Sequence, residues 1–538
     1  MAAARARTVI DDFETLSSTL EEEFDESQGH QLALRDWSLL SNWIMQFINE
    51  AKAIPGFMEN LYSKSSLAER VASIVAVEDL KASMETTAEE MINLCETREQ
   101  KNLDKARVFL SIGLRFYNNE NYEKAIELFN RALLYAPYPQ DVEDEEGPKA
   151  KNILSMILAN RCRAFRIRNR HEQALVDLDN AIKFSCDSKF TEGLFDARDE
   201  VEQELRSNGA GKGQYEPEQF AIRDEFKNPN IHGAVSILKM AYKPKIGRHL
   251  VTTRLVRPSV AIISEQAFAH WLAPSYYASY CAHCLRPLNE QPWPCRYCTY
   301  FRYCTEDCYD ESWDNYHGLE CKYMPVLKYF ANGHLAVRMI LMNGIENSID
   351  DYHEVITKEK FPVEARMIYR TRLKDVLTFV THEDHIDKLM TTGTFTAAFL
   401  TIFCRTLQII DDEMMEDFGG LLLKLLAIIR VNSLLISDNT KKDEEGDEFV
   451  SINNRRAEIG AGVFGATSFV NHSCEHNCNR VFVGNRMIIS AKQDIYPDEE
   501  ITITYGPSRE RLAYAERQKM ILERYFFKCA CKACSRRA

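Results

Sequence analysis

Residues 469–478, FVNHSCEHNC, put two cysteines, two histidines and two asparagines into ten positions. Such a run suits a metal site, the surroundings of a nucleophile, or a cofactor pocket whose amides donate and accept at fixed geometry. Two other cysteine-rich segments bear on the choice. Between 281 and 321 the pairs Cys281/Cys284, Cys295/Cys298, Cys304/Cys308 and His317/Cys321 are each separated by two or three residues. That spacing lets a turn, or one helical turn, aim both side chains at one ion, and eight ligands complete two tetrahedral zinc sites with no open position. The metal is therefore expected to be structural. A segment this short cannot bury a core of its own, so the ions must supply its folding free energy. His283, lying between ligands, reads as solvated surface. The tail YFFKCACKACSRRA adds Cys529, Cys531 and Cys534, which leaves a third ion one ligand short. FVNHSCEHNC offers two candidates for the fourth, Cys474 and Cys478.

The rest of the chain must position these groups. At 538 residues, 45% apolar and 27% charged, it is long enough for three or more modules of ordinary globular composition. Its net charge of -14 leaves no broad basic face to hold nucleic acid by phosphate neutralisation. The longest apolar stretch, GGLLLKLLAIIRV at 419–431, is broken by Lys424 and Arg430 and is too short for a membrane span, so it reads as a buried helix. No apolar run of signal-peptide length precedes the first acids, so the sixteen cysteines are expected in a reducing compartment, cytoplasm or nucleus. Residues 11–26 carry eight acids and no base and read as a solvated segment. Residues 31–100 have helical spacing.

Gly113, Phe116, Ala125, Phe129, Ala132 and Pro137 stand where a pair of antiparallel helices needs small, aromatic and chain-stopping residues. Phe165, Ala174 and Ala181 repeat the nine-then-seven spacing of Phe116, Ala125 and Ala132, so 105–207 resembles tetratricopeptide repeats with an acidic insert, YPQDVEDEEGPKAK, between two units. A third helix is expected at 191–207 and a flexible linker from NGAGKGQ onward. Relatives that grip a C-terminal carboxylate carry Asn after the first glycine and a base in the third repeat. Leu114 and Asp196 stand there instead, so that use is not expected.

With these motifs quoted, the chain resembles the SET and MYND family of lysine methyltransferases, in particular its repeat-bearing, SMYD4-type branch. GVFGATSFVNHSCEHNC, DEEITITYGP and the terminal C-x-C-x-x-C resemble a SET core, and Tyr303 and Trp313 around the ligand pairs resemble a MYND finger. The implied fold is α+β multidomain: 1–104 an N-terminal helical region, 105–207 repeats, 208–235 linker, 236–280 the N-terminal part of a mostly β SET fold, 281–321 the finger, 322–425 a helical insert shaping the peptide groove, 426–507 the SET catalytic core and 508–538 a cysteine-rich post-SET tail.

The resemblance implies alternating ligation in the finger, with Cys281, Cys284, Cys304 and Cys308 on one zinc and Cys295, Cys298, His317 and Cys321 on the other. It makes Cys474 the fourth ligand of a third zinc beside Cys529, Cys531 and Cys534, leaving His476 and Cys478 as loop residues. It implies S-adenosylmethionine held by Gly247, Arg248, Asn432, Ser468, Asn471, His472 and Tyr505, with Phe527 stacked on the adenine. Tyr505 and Tyr525 would be catalytic, lining a narrow lysine channel. Relatives carry Gly-x-Gly where this chain has Gly247, Arg248 and His249, and a Cβ at 249 is expected to crowd the cofactor loop. The implied activity is protein-lysine N-methylation, histone or non-histone. The alternative is a catalytically inactive adapter whose finger takes proline-containing peptides. A monomer without membrane or nucleic-acid partners is expected. SDNTKKDEEGDEF, 437–449, reads as a charged surface loop.

Overall fold

The computed structural model describes residues 42–96, 100–138, 147–208, 220–244, 246–357, 368–381, 391–442 and 456–537. The acidic segment 11–26, most of the acidic insert after Pro137, the NGAGKGQ linker from 209 and residues 443–449 of the charged segment lie outside them; the first part of that segment, 437–442, is strand rather than the expected loop. Four helices come first: α1 (42–53), α2 (Phe57–Ser63), α3 (Leu67–Val75) and α4 (Glu78–Glu96). The repeats follow as α5 (Leu103–Asn118), α6 (Tyr122–Tyr135), α7 (Gly147–Ile167), α8 (His171–Phe184) and α9 (Ser188–Asn208). Then come α10 (Glu306–Ser312) in the cysteine-rich segment, α11 (Asn332–Asn343), α12 (Ile345–Thr357), α13 (Thr391–Thr406) and α14 (Met415–Asn432) in the insert, and α15 (Tyr514–Tyr525) in the tail.

The repeats pack by the expected logic. A Cβ on Gly113 would come within 2.6 Å of the Phe129 ring, so only glycine lets α5 and α6 approach this closely. Ala125, Phe129, Ala132, Phe165, Ala174 and Ala181 are completely buried in a core separate from the rest of the chain. Arg161 and Asp177, both buried, make a two-pronged ion pair of 2.8 and 2.6 Å. Gln291 of the cysteine-rich segment donates to the same Asp177 Oδ1 at 2.7 Å and to the Gln173 carbonyl at 2.8 Å. Asn130 and Arg168 reach Glu290, at 3.0 Å to its carbonyl and 2.7 Å to its carboxylate. The repeats are thus docked on the cysteine-rich segment through polar groups that each side needs from the other.

The first helices belong to a different core. A capping box starts α3, with Ser66 Oγ accepting from Glu69 N–H and Glu69 accepting from Ser66 N–H. Val71, Ile74, Met84, Ala88 and Met91 are buried in the same cluster as α13 and α14. On α14, Gly419 and Gly420 leave no room for side chains: a Cβ would meet Val71 at 2.5 Å and Ala68 at 2.8 Å. The glycine pair in the apolar run is what brings α3 onto α14, the buried helix expected there. No helix among the described residues is long and apolar enough to cross a membrane.

The strands form small sheets: β1 (Leu238–Lys243) with β2 (Gly247–Thr252); β3 (Ala261–Gln266) with β11 (Arg486–Ala491) and β10 (Cys478–Val483); and β4 (Ala269–Leu272) with β8 (Arg456–Val463) and β7 (Ser433–Lys442). The two-residue strands β9 (Asn471–His472) and β12 (Thr502–Ile503) pair in parallel, and β5 (Trp293–Pro294) pairs with β6 (Arg302–Tyr303).

Candidate functional site

The parallel pairing of Asn471 with Thr502 and of His472 with Ile503 sets the site. Two residues beyond Ile503, the Tyr505 N–H donates to His472 Nδ1 at 3.1 Å, while Ser473 N–H donates to the Ile503 carbonyl. His472 Nδ1 being the acceptor, the proton sits on Nε2, which lies 3.3 Å from Cys474 Sγ. Asn471 Nδ2 donates to Glu500 at 2.8 Å, and the Tyr505 hydroxyl to the Val470 carbonyl at 2.8 Å. The crossing is therefore fixed by side chains as well as by backbone.

Beside it is a cavity of about 900 Å³, within the range of small-molecule sites. Gly247, Arg248, Asn432, Ser468, Asn471, His472, Tyr505, Tyr525 and Phe527 all line it, so the structure brings together every residue expected to hold cofactor or act on it. Gly247 opens β2 at φ +80, a conformation side chains rarely adopt, with open space where a Cβ would stand. Arg248 lies over the Phe469 ring at 4.9 Å and bonds the Thr378 hydroxyl at 3.2 Å. Asn432 ends α14, its amide held by the carbonyls of Val380 and Ile428. Ser468 donates to the Phe464 carbonyl at 2.6 Å.

Four aromatic rings meet along the cavity. Tyr505 and Tyr525 have centroids 4.9 Å apart, and His472 lies 5.4 Å from Tyr505 and 6.4 Å from Phe527. Burial pushes both phenols above their ordinary pKa, so their hydroxyls stay protonated and neutral.

The ligand sets are the three expected ones: Cys281, Cys284, Cys304 and Cys308; Cys295, Cys298, His317 and Cys321; Cys474, Cys529, Cys531 and Cys534. Tetrahedral zinc with bonds of about 2.3 Å to sulfur and 2.0–2.1 Å to nitrogen places sulfurs about 3.8 Å apart and sulfur and nitrogen about 3.5 Å apart. Cys284 and Cys308 each lie 3.5 Å from Cys304, Cys295 lies 3.8 Å from Cys321 and 3.3 Å from His317 Nε2, and Cys474 lies 3.9 and 3.6 Å from Cys529 and Cys534. These spacings fit three zinc ions and are far longer than a disulfide. Backbone N–H groups of Tyr297 and Cys298 point at Cys295 Sγ, and Arg286 Nε lies 3.3 Å from Cys284 Sγ, donors suited to thiolates.

Three expectations change. His249 does not crowd the cavity: its side chain is completely buried on β2, its Nδ1 is 3.0 Å from the Gly247 carbonyl, and it is not among the lining residues. The buried run of β2 begins at 249, whereas 247 and 248 are half-exposed and line the cavity. His283 is not solvated surface but bridges Tyr316 at 3.1 Å and Glu311 at 2.9 Å. Cys478 opens β10 rather than a loop, and burial pushes its thiol up to about 12, a neutral core residue. His476, as expected, lies in the loop before β10, half-buried and outside the ligand sets.

Sequence reasoning also missed Glu265. This buried carboxylate on β3 accepts from Ala466 N–H at 2.9 Å, Thr467 N–H at 2.8 Å and the Thr467 hydroxyl at 2.6 Å. It clamps the turn that delivers Ser468 and Asn471 to the cavity, and burial raises its pKa. The only local signal is an acid inside the apolar run AIISEQAFAHWL.

The model of the SET domain family matches residues 247–506. The mouse protein-lysine N-methyltransferase SMYD4 is 24% identical over 390 residues, 59% of this chain and 48% of its own length. The zebrafish protein of that name is 22% identical over 519 residues, 81% of this chain and 66% of its own length. Human histone-lysine N-methyltransferase SMYD3 is 24% identical over 297 residues, 54% and 59% of the two chains. The chain spans about half the length of the mammalian SMYD4 relatives it matches.

Proposed function

We propose, from the SET-domain match over residues 247–506 and the SMYD4 relatives, that the chain is an S-adenosylmethionine-dependent protein-lysine N-methyltransferase. The observation that carries this reading is the convergence of residues from 247–248, 432, 468–472, 505 and 525–527 on one cavity closed by Tyr505 and Tyr525. When bound there, S-adenosylmethionine supplies a methyl group on a sulfonium. Asn471, Ser468 and Asn432 hold its polar parts, Gly247 leaves room for close backbone approach, and Phe527 stacks on the purine. The Tyr505 hydroxyl, kept neutral and anchored on Val470, borders the point of transfer, while the Tyr525 ring walls the lysine channel.

A lysine amine is mostly protonated at neutral pH, and its deprotonation there costs roughly 4–5 kcal/mol. Aromatic walls lower that cost by disfavouring the charged form and excluding water. The rest is alignment of amine and methyl. The acceptor is a lysine of a protein, histone or non-histone. The finger takes proline-containing peptides, and the chain acts as a monomer in cytoplasm and nucleus.

Isothermal titration of the full chain with S-adenosylmethionine tests this. Binding is expected, weakened at least about tenfold by Asn471→Ala, since the amide is a hydrogen-bonding anchor. No binding by the wild type would sink the enzyme reading and leave the adapter.

A further inference from the structure

Three guanidinium groups stand near Tyr525 and Phe526 on residues outside the cavity lining. Arg430, two residues before Asn432 on α14, stands with Cζ 5.6 Å over the Phe526 ring. Arg524 stands 5.4 Å over the Tyr525 ring. Arg480, on β10, is near enough for the charges of Arg524, Tyr525, Tyr505 and Glu458 to act on it. Arg430 Nε and Arg480 Nη1 are both buried and have no hydrogen-bond partner among the described residues. Guanidinium N–H groups removed from water are ordinarily matched to an acceptor, because leaving them unmet is costly. Burial pushes both groups below the ordinary arginine pKa, Arg524 adds to this, and the attraction of Tyr525, Tyr505 and Glu458 at Arg480 does not reverse it.

Tyr525, part of the aromatic wall of the cavity, lies under Arg524, and none of the three arginines lines the cavity. A methyl donor occupying the cavity leaves the far side of that wall for the acceptor chain. We propose that Arg430, Arg480 and Arg524 form a subsite for a carboxylate side chain, an aspartate or glutamate flanking the acceptor lysine. A planar carboxylate satisfies guanidinium forks pairwise, and the arginines' positive charge excludes a basic neighbour at that position. The subsite deepens the methyltransferase reading and rests on it for the identity of the central lysine.

The test uses the full chain and an immobilised library of peptides with one fixed lysine and varied flanks, in the presence of S-adenosylhomocysteine. Wild type is expected to favour Asp or Glu over Ala at one flanking position by about tenfold, the equivalent of 1.4 kcal/mol. Arg480→Gln and Arg430→Gln are expected to abolish the preference, and Arg480→Glu to turn it toward Lys or Arg. S-adenosylmethionine binding by each variant reports that it folds. Absence of an acidic preference in wild type, its persistence in the variants, or selection of phosphoserine over both carboxylates overturns the subsite. Parallel transfer of labelled methyl groups separates the two readings: acidic preference without any transfer condemns the enzyme reading alone, and transfer without acidic preference condemns the subsite alone.

Discussion

Replacing Cys474 by serine should weaken two ligands at once. The thiolate is one of four at the third zinc set, and structural zinc sites are worth about 10–16 kcal/mol. Losing about a quarter of that lowers zinc affinity by roughly a hundredfold or more, at 1.4 kcal/mol per tenfold. The same sulfur accepts from His472 Nε2 at 3.3 Å, while His472 Nδ1 holds the Tyr505 backbone at 3.1 Å. A hydrogen bond to a charged group contributes about 1.5–3 kcal/mol, so S-adenosylmethionine affinity should fall about ten- to a hundredfold as His472 and Tyr505 lose their anchor. Cys478→Ser is the matched comparison, because Cys478 is buried at the start of β10 as a neutral thiol outside the ligand sets. Chelator competition for zinc and calorimetry for cofactor, run on the same preparations, read both effects. Equal behaviour of the two variants, or a Cys474→Ser protein that loses zinc with unchanged cofactor affinity, would refute the coupling through His472.

Glu265→Ala strands three buried donors at about 1–3 kcal/mol each, so urea unfolding should show a loss of at least about 3 kcal/mol, with cofactor affinity falling as the 465–467 turn loosens. Asp177→Ala leaves Arg161 buried without its partner and should cost about 3–5 kcal/mol in repeat stability, whereas Gln291→Ala removes only the bonds to the repeats and should cost about 1 kcal/mol. Calorimetric melting distinguishes them, and equal losses would contradict the assignment. Burial, reinforced by Arg338, holds the His270 pKa down to about 3. Below the ordinary value of about 6.5 the unfolded chain binds a proton that the folded chain does not, so stability falls as pH drops, by about 2 kcal/mol at pH 5. In His270→Phe that part of the pH slope should vanish from denaturant titrations between pH 7 and 5; an unchanged slope would show that His270 is not its source.

What could be read before folding was what lies close along the chain. Ligand pairs two or three residues apart carry their geometry with them, so the zinc sets were legible from spacing joined to family resemblance. Gly113 and Phe129 were legible because the repeat period places them on facing helices. The cavity residues depended on the resemblance, since nothing local connects Gly247 or Asn432 to Asn471. His249 misled because a lost glycine was judged by chain position, whereas the buried run of β2 begins at 249 and only 247 and 248 reach the cavity. The helical pattern of 42–96 marks an apolar face but not its partner, and the Gly419–Gly420 pair looks like two small residues in a greasy run until α3 is seen lying on it. Glu265 and the arginines around Tyr525 escape for the same reason: their meaning is in what stands across from them.

The contact of Val71 with Gly419 spans 419 − 71 = 348 residues. During synthesis at about 5–20 residues per second, α3 would emerge roughly 17–70 seconds before the helix that covers it. The repeats, whose contacts are local, can fold in that interval, whereas α1 to α4 must wait with their apolar faces uncovered. The nascent N-terminal helices therefore carry uncovered apolar faces until α14 is made, and α14 is the helix whose last residue, Asn432, lines the cavity.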